Sequence, residues 1–304
     1  MYLGAHIGIA DGLAESVRQL RRIGGDALQI FSKSPQMWSG PPIAATAAAE
    51  FRSAVAGEGV KATAVHHGYL ANLGSPKPET LARSRTALED EIRRAELLGV
   101  DGLIFHPGAH LGSGADAGVR TIVESLRGAI AAVPEAKVRL LIENAAGQGT
   151  TLGSTFEELA AMLAGVDAPD RVGIALDTCH LFAAGFDFRT EDGYGTLVDR
   201  IGATIGVGPV RAFHLNDAKA PAGSHLDRHE NIGRGEIGLA GFRHFVNDRR
   251  WQAVPGYLET PLDDAGYERY AEDLRSLRSL LAAAPGRRAS AAPSRTRRRP
   301  AASR

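Results

Sequence analysis

The sequence predicts a (β/α)8 TIM barrel, an α/β fold, and three features of the chain support this class. Eight short apolar runs alternate with long amphipathic segments. Parallel strands are joined by crossovers that are usually helices, so this alternation indicates repeated βα units. Polar residues end each run, as expected where buried strands reach one open rim. The length of 304 residues accommodates one barrel of roughly 250 residues with little remaining.

The predicted strands and helices follow one another in the order of the βα repeat. The strands are residues 3–6, 27–32, 60–66, 102–106, 138–143, 172–177, 210–214 and 254–258. Apolar residues spaced three and four apart predict helices at 12–23, 44–56, 78–98 and 267–281. Gly24-Gly25 and Gly99 follow two of these segments and are typical of helix ends. The charged helix 78–98 is expected only to cover the barrel.

The composition argues against several classes of protein. No run of about 18 apolar residues occurs, and no charged start precedes an apolar segment, so neither a transmembrane helix nor a signal peptide is predicted. The single cysteine, Cys179, cannot form an internal disulfide. We expect a cytoplasmic monomer that makes no contact with membranes.

The C-terminal segment differs in composition from the rest of the chain. Residues 285–304 contain seven arginines and no acidic residue. Removing these seven from the 35 basic residues leaves 28 against 35 acidic residues, so residues 1–284 are expected to form an acidic barrel domain. The Ala, Pro, Ser and Arg content of residues 285–304 predicts a disordered tail. This tail either attracts phosphates without sequence preference or is a solvated linker.

The residues at or just past the strand ends include many that bind metals. They are five histidines and four acidic residues: His66, His106, Glu143, Asp177, His180, His214, Asp227, His229 and Glu259. Nitrogen and oxygen donors without thiolate suit zinc, or manganese if water fills vacant positions. Such a set exceeds the coordination of one ion, whereas two or three ions with a bridging carboxylate would use it fully. Alternatively, these groups only cap buried strands where they reach water.

Two loops past the strand ends carry bulky side chains outside the apolar pattern. The segment after the second strand contains Lys33, Gln36 and Trp38, and Trp38 either contacts a ligand or packs in the core. Tyr69 and Leu70 follow the third strand, where no core is expected. These two residues either pack locally or form a wedge that enters a base stack.

Taken together, these motifs resemble the endonuclease IV family, the zinc-dependent apurinic/apyrimidinic endonucleases, across residues 1–281. The matching stretches are Gly4-Ala5-His6, His66-x-x-Tyr69-Leu70-x-Asn72-Leu73, Phe105-His106-Pro107-Gly108, Ile142-Glu143-Asn144, Leu176-Asp177-Thr178-Cys179-His180, His214-Leu215-Asn216-Asp217, Asp227-Arg228-His229 and Leu258-Glu259-Thr260. Each motif is weak alone, but their number and order make a chance match very improbable.

The resemblance implies a site of three zinc ions, with manganese as a possible occupant of one position. His66 and His106 would hold one ion, and Glu143 would bridge it to a second. The remaining implied ligands are Asp177, His214 and Glu259 for the second ion, and His180, Asp227 and His229 for the third. The same resemblance selects His66 rather than its neighbour His67 as the ligand.

The resemblance also implies the reaction and the substrate. The family cuts duplex DNA on the 5′ side of an abasic site and leaves a 3′-hydroxyl and a 5′-deoxyribose phosphate. Glu143 is the implied catalytic residue, because it would bridge the two ions that share the attacking hydroxide. Tyr69 and Leu70 match the loop that fills the gap left by the abasic nucleotide. Gln36 departs from the family pattern, because an arginine often stands there beside the orphan base.

Two other classes of protein are compatible with parts of the pattern. Related (β/α)8 barrels include sugar isomerases and epimerases that use one or two metals. A metal-storing or DNA-tethering protein could also use the basic segment. The predicted ligands of the third ion favour the nuclease over both of these classes, as do Tyr69 and Leu70. These ligands are His180, Asp227 and His229.

We predict that deleting residues 285–304 reduces the slope with which KM for DNA rises with salt. Each arginine that neutralises a phosphate releases counterions, so losing such contacts weakens the salt dependence. KM for an abasic duplex measured across a salt series tests this. An unchanged slope excludes the segment as a DNA contact.

Overall fold

The computed structural model describes residues 1–282 and confirms the predicted TIM barrel. Eight parallel strands close into the barrel. In their order around it they are β1 Tyr2–His6, β2 Ala27–Phe31, β3 Ala62–His66, β4 Gly102–Phe105, β5 Arg139–Glu143, β6 Val172–Asp177, β7 Val210–His214 and β10 Pro255–Leu258. The predicted tail, residues 285–304, lies outside the described residues, and the domain boundary stays a prediction.

Helices alternate with these strands and cover the barrel. They are α1 Leu13–Arg22, α2 Ala45–Gly57, α3 Pro78–Leu98, α4 Ala115–Ala132, α5 Phe156–Val166, α6 Thr178–Ala183, α7 Glu191–Thr204, α8 Gly238–Asn247 and α9 Tyr267–Ser279, with a short 3₁₀ helix at Arg249–Trp251. None of the helices within residues 1–282 has the length and apolar character needed to cross a bilayer.

A short antiparallel pair between β7 and α8 was not predicted. It consists of β8, Asp217–Ala218, and β9, His229–Glu230. Two-residue strands are too short to produce an alternating apolar pattern, so the sequence carries no signal for them.

Two apolar clusters divide the core. The larger one joins the inner faces of the helices to the outward faces of the strands, with Leu20, Leu88 and Leu126 among its fully buried members. The smaller one draws only on strands and includes Ala27, Ile104 and Tyr257. Because successive strand residues point to opposite faces, this second cluster fills the barrel interior.

The contact between β1 and β2 requires glycine at Gly4. Gly4 is aligned with Ala27, and a Cβ added to Gly4 would lie 1.6 Å from the Ala27 carbonyl oxygen. No side-chain rotation can relieve a clash with the backbone. The close approach of β1 and β2 therefore excludes every residue type except glycine at position 4.

We expect Gly4→Ala to lower the free energy of unfolding by about 3 kcal/mol, because the strands must separate to admit a methyl group. Chemical denaturation measures this. Gly57→Ala is the matched control, since a Cβ at this helical position would have no atom of the described residues within 4 Å apart from its own helical turn. The control is expected to stabilise the protein slightly, and equal stability of the two variants would contradict the prediction.

Candidate metal centre

The barrel places six of the predicted ligands at one rim. β3, β5, β6 and β7 end at His66, Glu143, Asp177 and His214. His106 and Glu259 directly follow β4 and β10. Parallel strands present their carboxyl ends at the same end of a barrel, so these side chains converge although they are far apart in sequence.

The other three predicted ligands come from the segments beyond the strands. His180 lies in α6, His229 in β9 and Asp227 in the loop between β8 and β9. The Asp177 side chain accepts a hydrogen bond from the backbone N–H of His180 at 2.9 Å and so caps α6. This cap fixes His180 beside the rim.

Side-chain donor atoms of the predicted ligands form compact groups, with the atoms of each group within 4.8 Å of one another. Three groups are His66 with His106 and Glu143, then Glu143 with Asp177, His214 and Glu259, and finally His180 with Asp227 and His229. Two overlapping groups also occur, namely His66 with His214 and Glu259, and Asp177 with Cys179 and His229. All nine predicted ligands therefore meet at one rim, whereas His67 belongs to none of the groups within residues 1–282.

Cys179 was not predicted as a ligand, and its thiol is poorly suited to the role. Its sulfur lies 3.6 Å from the Arg228 carbonyl oxygen, to which it donates. Burial and the nearby Asp177 carboxylate raise the pKa of the Cys179 thiol. Because a thiolate rather than a thiol binds metals, this neutral thiol, which donates to a carbonyl oxygen, is a weaker candidate ligand than Asp177 or His229.

Glu143 occupies the centre of the site. The side chain is fully buried. Its Oε1 lies 2.8 Å from His214 Nδ1, and its Oε2 lies 3.1 Å from His66 Nε2 and 3.6 Å from His106 Nδ1. Burial alone would raise the pKa of Glu143, but these histidines outweigh burial and hold the pKa well below its usual range. The carboxylate is therefore ionised in the interior.

Two of the predicted histidine ligands, His214 and His229, show the complementary effect. Burial alone would lower the pKa of His214, but Glu259, Glu143 and Asp177 raise it to about 9. In the same way, Asp177 and Asp227 outweigh burial and raise the pKa of His229 to about 9. The carboxylates thus create a local potential that favours positive charge at the positions of these imidazole nitrogens.

The third group has the convergence expected of ligands. Asp227 Oδ2 lies 3.2 Å from His180 Nε2, and Asp227 Oδ1 lies 3.2 Å from His229 Nε2. However, His229 Nε2 is buried and makes no hydrogen bond with good geometry among the described residues. A buried nitrogen that contacts a carboxylate without a well-formed hydrogen bond is incompletely satisfied. A mixed set of nitrogen and oxygen donors aimed at a common point fits a divalent ion such as zinc.

Three amide side chains that the sequence did not identify as site residues orient the ligands. Asn144 Oδ1 accepts from the Asp177 backbone N–H at 2.6 Å. Asn216 Nδ2 donates to Asp177 Oδ2 at 2.6 Å, and its Oδ1 accepts from the Glu259 backbone N–H at 2.8 Å. Such partners fix ligand geometry. In the sequence, Asn144 and Asn216 could have been identified only by their positions, directly after Glu143 and two residues after His214.

Gln29 is the third amide and joins two predicted ligands. Its Nε2 donates to Glu259 Oε1 at 2.6 Å, and its Oε1 lies 2.8 Å from His214 Nε2. The same Nε2 lies 2.9 Å from His6 Nδ1. Gln29 is the one polar residue in an otherwise apolar strand, and this interruption could have identified it from sequence.

Comparisons with known proteins agree with this geometry. A family described as xylose isomerase-like TIM barrel matches residues 17–280. The probable endonuclease 4 of Geobacter sulfurreducens is 43% identical over 263 residues, which cover 86% of this chain and 89% of the relative. That of Chlorobium luteolum is 42% identical over 281 residues, covering 91% and 99%. The crystal structure of endonuclease IV from Thermus thermophilus aligns with a TM-score of 0.80 and 34% identity, covering 92% of this chain and 98% of that chain.

The chain belongs to the endonuclease IV family. The resemblance inferred from the sequence motifs is confirmed. A 3-keto-D-glucoside 4-epimerase from E. coli also aligns, with a TM-score of 0.66 but 15% identity. At that identity the likeness shows the shared barrel alone.

Of the residues that endonuclease IV motifs associate with DNA, Tyr69 and Leu70 line a cavity together with the predicted ligands His106, His180 and Asp227. The exposed fraction is 62% for Tyr69 and 39% for Leu70, and Gln36 is exposed. Tyr69 also lines a cavity of about 340 Å³ that is walled by predicted ligands including His66, His180 and Asp227. Contact of these residues with DNA stays a prediction.

The two alternatives for Trp38 are resolved in part. Trp38 is half-buried but lies outside both apolar clusters of the described residues. Its ring packs beneath the Arg83 guanidinium of α3, 4.4 Å from the ring centre. It is therefore a loop residue covered by a cation and not a core residue.

We expect Gln29→Met to weaken retention of divalent metal by about 10- to 100-fold, because Glu259 and His214 lose the group that orients both. Competition with a chelating dye measures the affinity. Gln19→Met on α1, whose side-chain amide hydrogen-bonds only to Arg22 among residues 1–282, is the control with the same change of side chain. Wild-type affinity in a folded Gln29→Met protein would contradict the assignment.

Proposed function

We propose that this nuclease is a DNA-repair endonuclease that hydrolyses the phosphodiester on the 5′ side of an abasic site in duplex DNA. The products are a 3′-hydroxyl and a 5′-deoxyribose phosphate. The observation that carries the proposal is the convergence of three donor groups at one rim, two of which share Glu143. Membership of the endonuclease IV family supports the same reaction.

Three zinc ions fit the donor groups. His66, His106 and Glu143 would hold one ion. The other two would be held by Glu143 with Asp177, His214 and Glu259, and by His180 with Asp227 and His229. When bound, such ions act as Lewis acids that polarise the phosphoryl group and neutralise charge developing on the attacking and leaving oxygens.

The protein's own residues supply the shape and charge of the site. Glu143 presents one oxygen toward His66 and the other toward His214, as a carboxylate shared between two positions must. Three divalent ions against the four carboxylates leave about two positive charges at the rim. This local excess attracts a phosphodiester although the remainder of the chain outside residues 285–304 is acidic.

Selectivity for a missing base follows from the exposed pair Tyr69 and Leu70. Their side chains project beside the cavity without a core to fill. A nucleotide without a base loses little stacking or pairing when it leaves the helix, so extrusion costs least at the lesion. The Tyr69 and Leu70 side chains would occupy the space left in the stack. Gln36, an exposed residue of the loop after β2, is uncharged at a position where an arginine is frequent in the family.

We predict that Glu143→Ala lowers the turnover of an abasic duplex by about 10³-fold or more, because the carboxylate common to two donor groups is lost. A fluorescent abasic oligonucleotide, assayed together with elemental analysis of the purified protein, measures the effect. Glu135→Ala, at an exposed position between α4 and β5, is the control and should retain full activity.

Near-normal turnover of Glu143→Ala would refute the proposed site. Turnover of ketoses by the wild-type protein, with none of the abasic duplex, would refute the proposed substrate and indicate a sugar isomerase.

A further inference from the structure

Helix α3 contacts the rim through a buried network of charges. The network meets the β2–α2 loop, residues 32–44, which leaves the barrel directly after β2. Lys33 Nζ lies 2.8 Å from Asp90 Oδ2 and also donates to Glu91. The Lys33 and Glu91 side chains are only 3% and 1% exposed, so this ion pair lies in the interior.

Arg94 extends the network to a second point of the same loop. Its Nε donates to Ser32 Oγ at 2.7 Å, and its Nη2 donates to the Ser32 carbonyl oxygen at 2.7 Å. Its Nη1 donates to the Pro41 carbonyl oxygen at 2.9 Å. Ser32 Oγ in turn donates to Glu91. One guanidinium therefore holds the beginning of the loop and a position near its end.

Between these two points, the β2–α2 loop contacts the neighbouring loop that follows β3. The Tyr69 backbone N–H donates to the Pro35 carbonyl oxygen at 3.1 Å. A Cβ on Gly68 would lie 2.8 Å from the same oxygen, so the two backbones are in close contact. The rings of Phe31 and Tyr69 also pack edge to face, with centres 5.5 Å apart. The position of Tyr69 thus depends on the path of the β2–α2 loop.

Stability alone is a weak explanation for this network. Burying Lys33 and Glu91 costs solvation, and an apolar pair of similar size is often equally stable in such a position. A fully paired network of charges instead fixes one geometry, because each donor and acceptor must lie next to its partner. The β2–α2 loop has no helix or strand of its own, so its shape depends on such external contacts.

We propose that Glu91 and Arg94 of α3 are positioning residues that hold the β2–α2 loop, and through Pro35 the Tyr69 backbone, in the shape that receives DNA. The inference rests on the proposed function for its substrate. A preformed rim avoids the cost of ordering two loops on binding. Loss of the network should therefore raise KM with little change in kcat, as expected when binding but not chemistry is affected.

Trp38 provides a reporter of loop order in the intact protein. The chain has two tryptophans, and Trp251 is 1% exposed with its indole N–H bonded to Tyr194. Acrylamide therefore quenches mainly Trp38. In Glu91→Gln we expect the quenching constant to rise at least about twofold as the loop loosens. KM for the abasic duplex should rise about tenfold, with kcat within about twofold of the wild type.

Glu96→Gln is the matched control on the same helix. The Glu96 carboxylate accepts from the backbone N–H groups of Lys137 and Val138 at 2.7 and 3.1 Å, away from the β2–α2 loop. This variant should lose stability without a change in Trp38 quenching or KM. The proposal is overturned if Glu91→Gln leaves both quantities at wild-type values, or changes them no more than Glu96→Gln does.

Arg94→Lys is the second variant if Glu91→Gln does not fold. It keeps the buried positive charge, but one ammonium group cannot bond to both Ser32 and Pro41 as the Arg94 guanidinium does. Increased quenching of Trp38 together with a raised KM supports the proposal, and wild-type values of both overturn it.

Failure of the proposed function can be distinguished from failure of the positioning role. The quenching measurement needs no DNA. If the wild-type protein does not cleave abasic duplexes, the proposed function falls, and the effect of Glu91→Gln on quenching alone decides the positioning role.

Discussion

A fully buried carboxylate, Glu143, is the constraint around which the rim is organised. An ionised carboxylate in the interior is stable only when charged or hydrogen-bonding partners surround it. Here His66, His106 and His214 meet its two oxygens, and each of them lies at the end of a different strand or just past it. The position of one side chain therefore fixes the spacing of three strand ends.

Amide side chains extend this constraint outward from the ligands. Gln29 joins Glu259 to His214, and Asn216 joins Asp177 to Glu259. Each amide offers both a donor and an acceptor, so it can link a carboxylate to a group of the opposite kind. The donor atoms are held in place by the protein itself. A site of this kind is preorganised for cations and for the phosphate that cations attract.

The covering helices are not equivalent in what they contribute. The prediction that α3 only covers the barrel was incomplete, because its face toward the β2–α2 loop carries Glu91 and Arg94 in addition to the apolar residues that pack on the strands. Glu91 is as buried as core residues of the same helix. In the sequence these charges look like part of a solvated face, since helical periodicity alone does not reveal a loop folded over them.

The sequence by itself determined the fold class, the residue types at the rim and the family. Strand-length apolar runs between amphipathic segments report which residues are buried within one element, and His66, Glu143 and Asp177 were recognisable because they end such runs. Only the tertiary structure decided which predicted ligands share a group, that the Cys179 thiol bonds to Arg228, and that Arg94 links Ser32 to Pro41. These relations depend on strand register and loop paths. Packing between distant segments sets both, and local sequence patterns do not encode them.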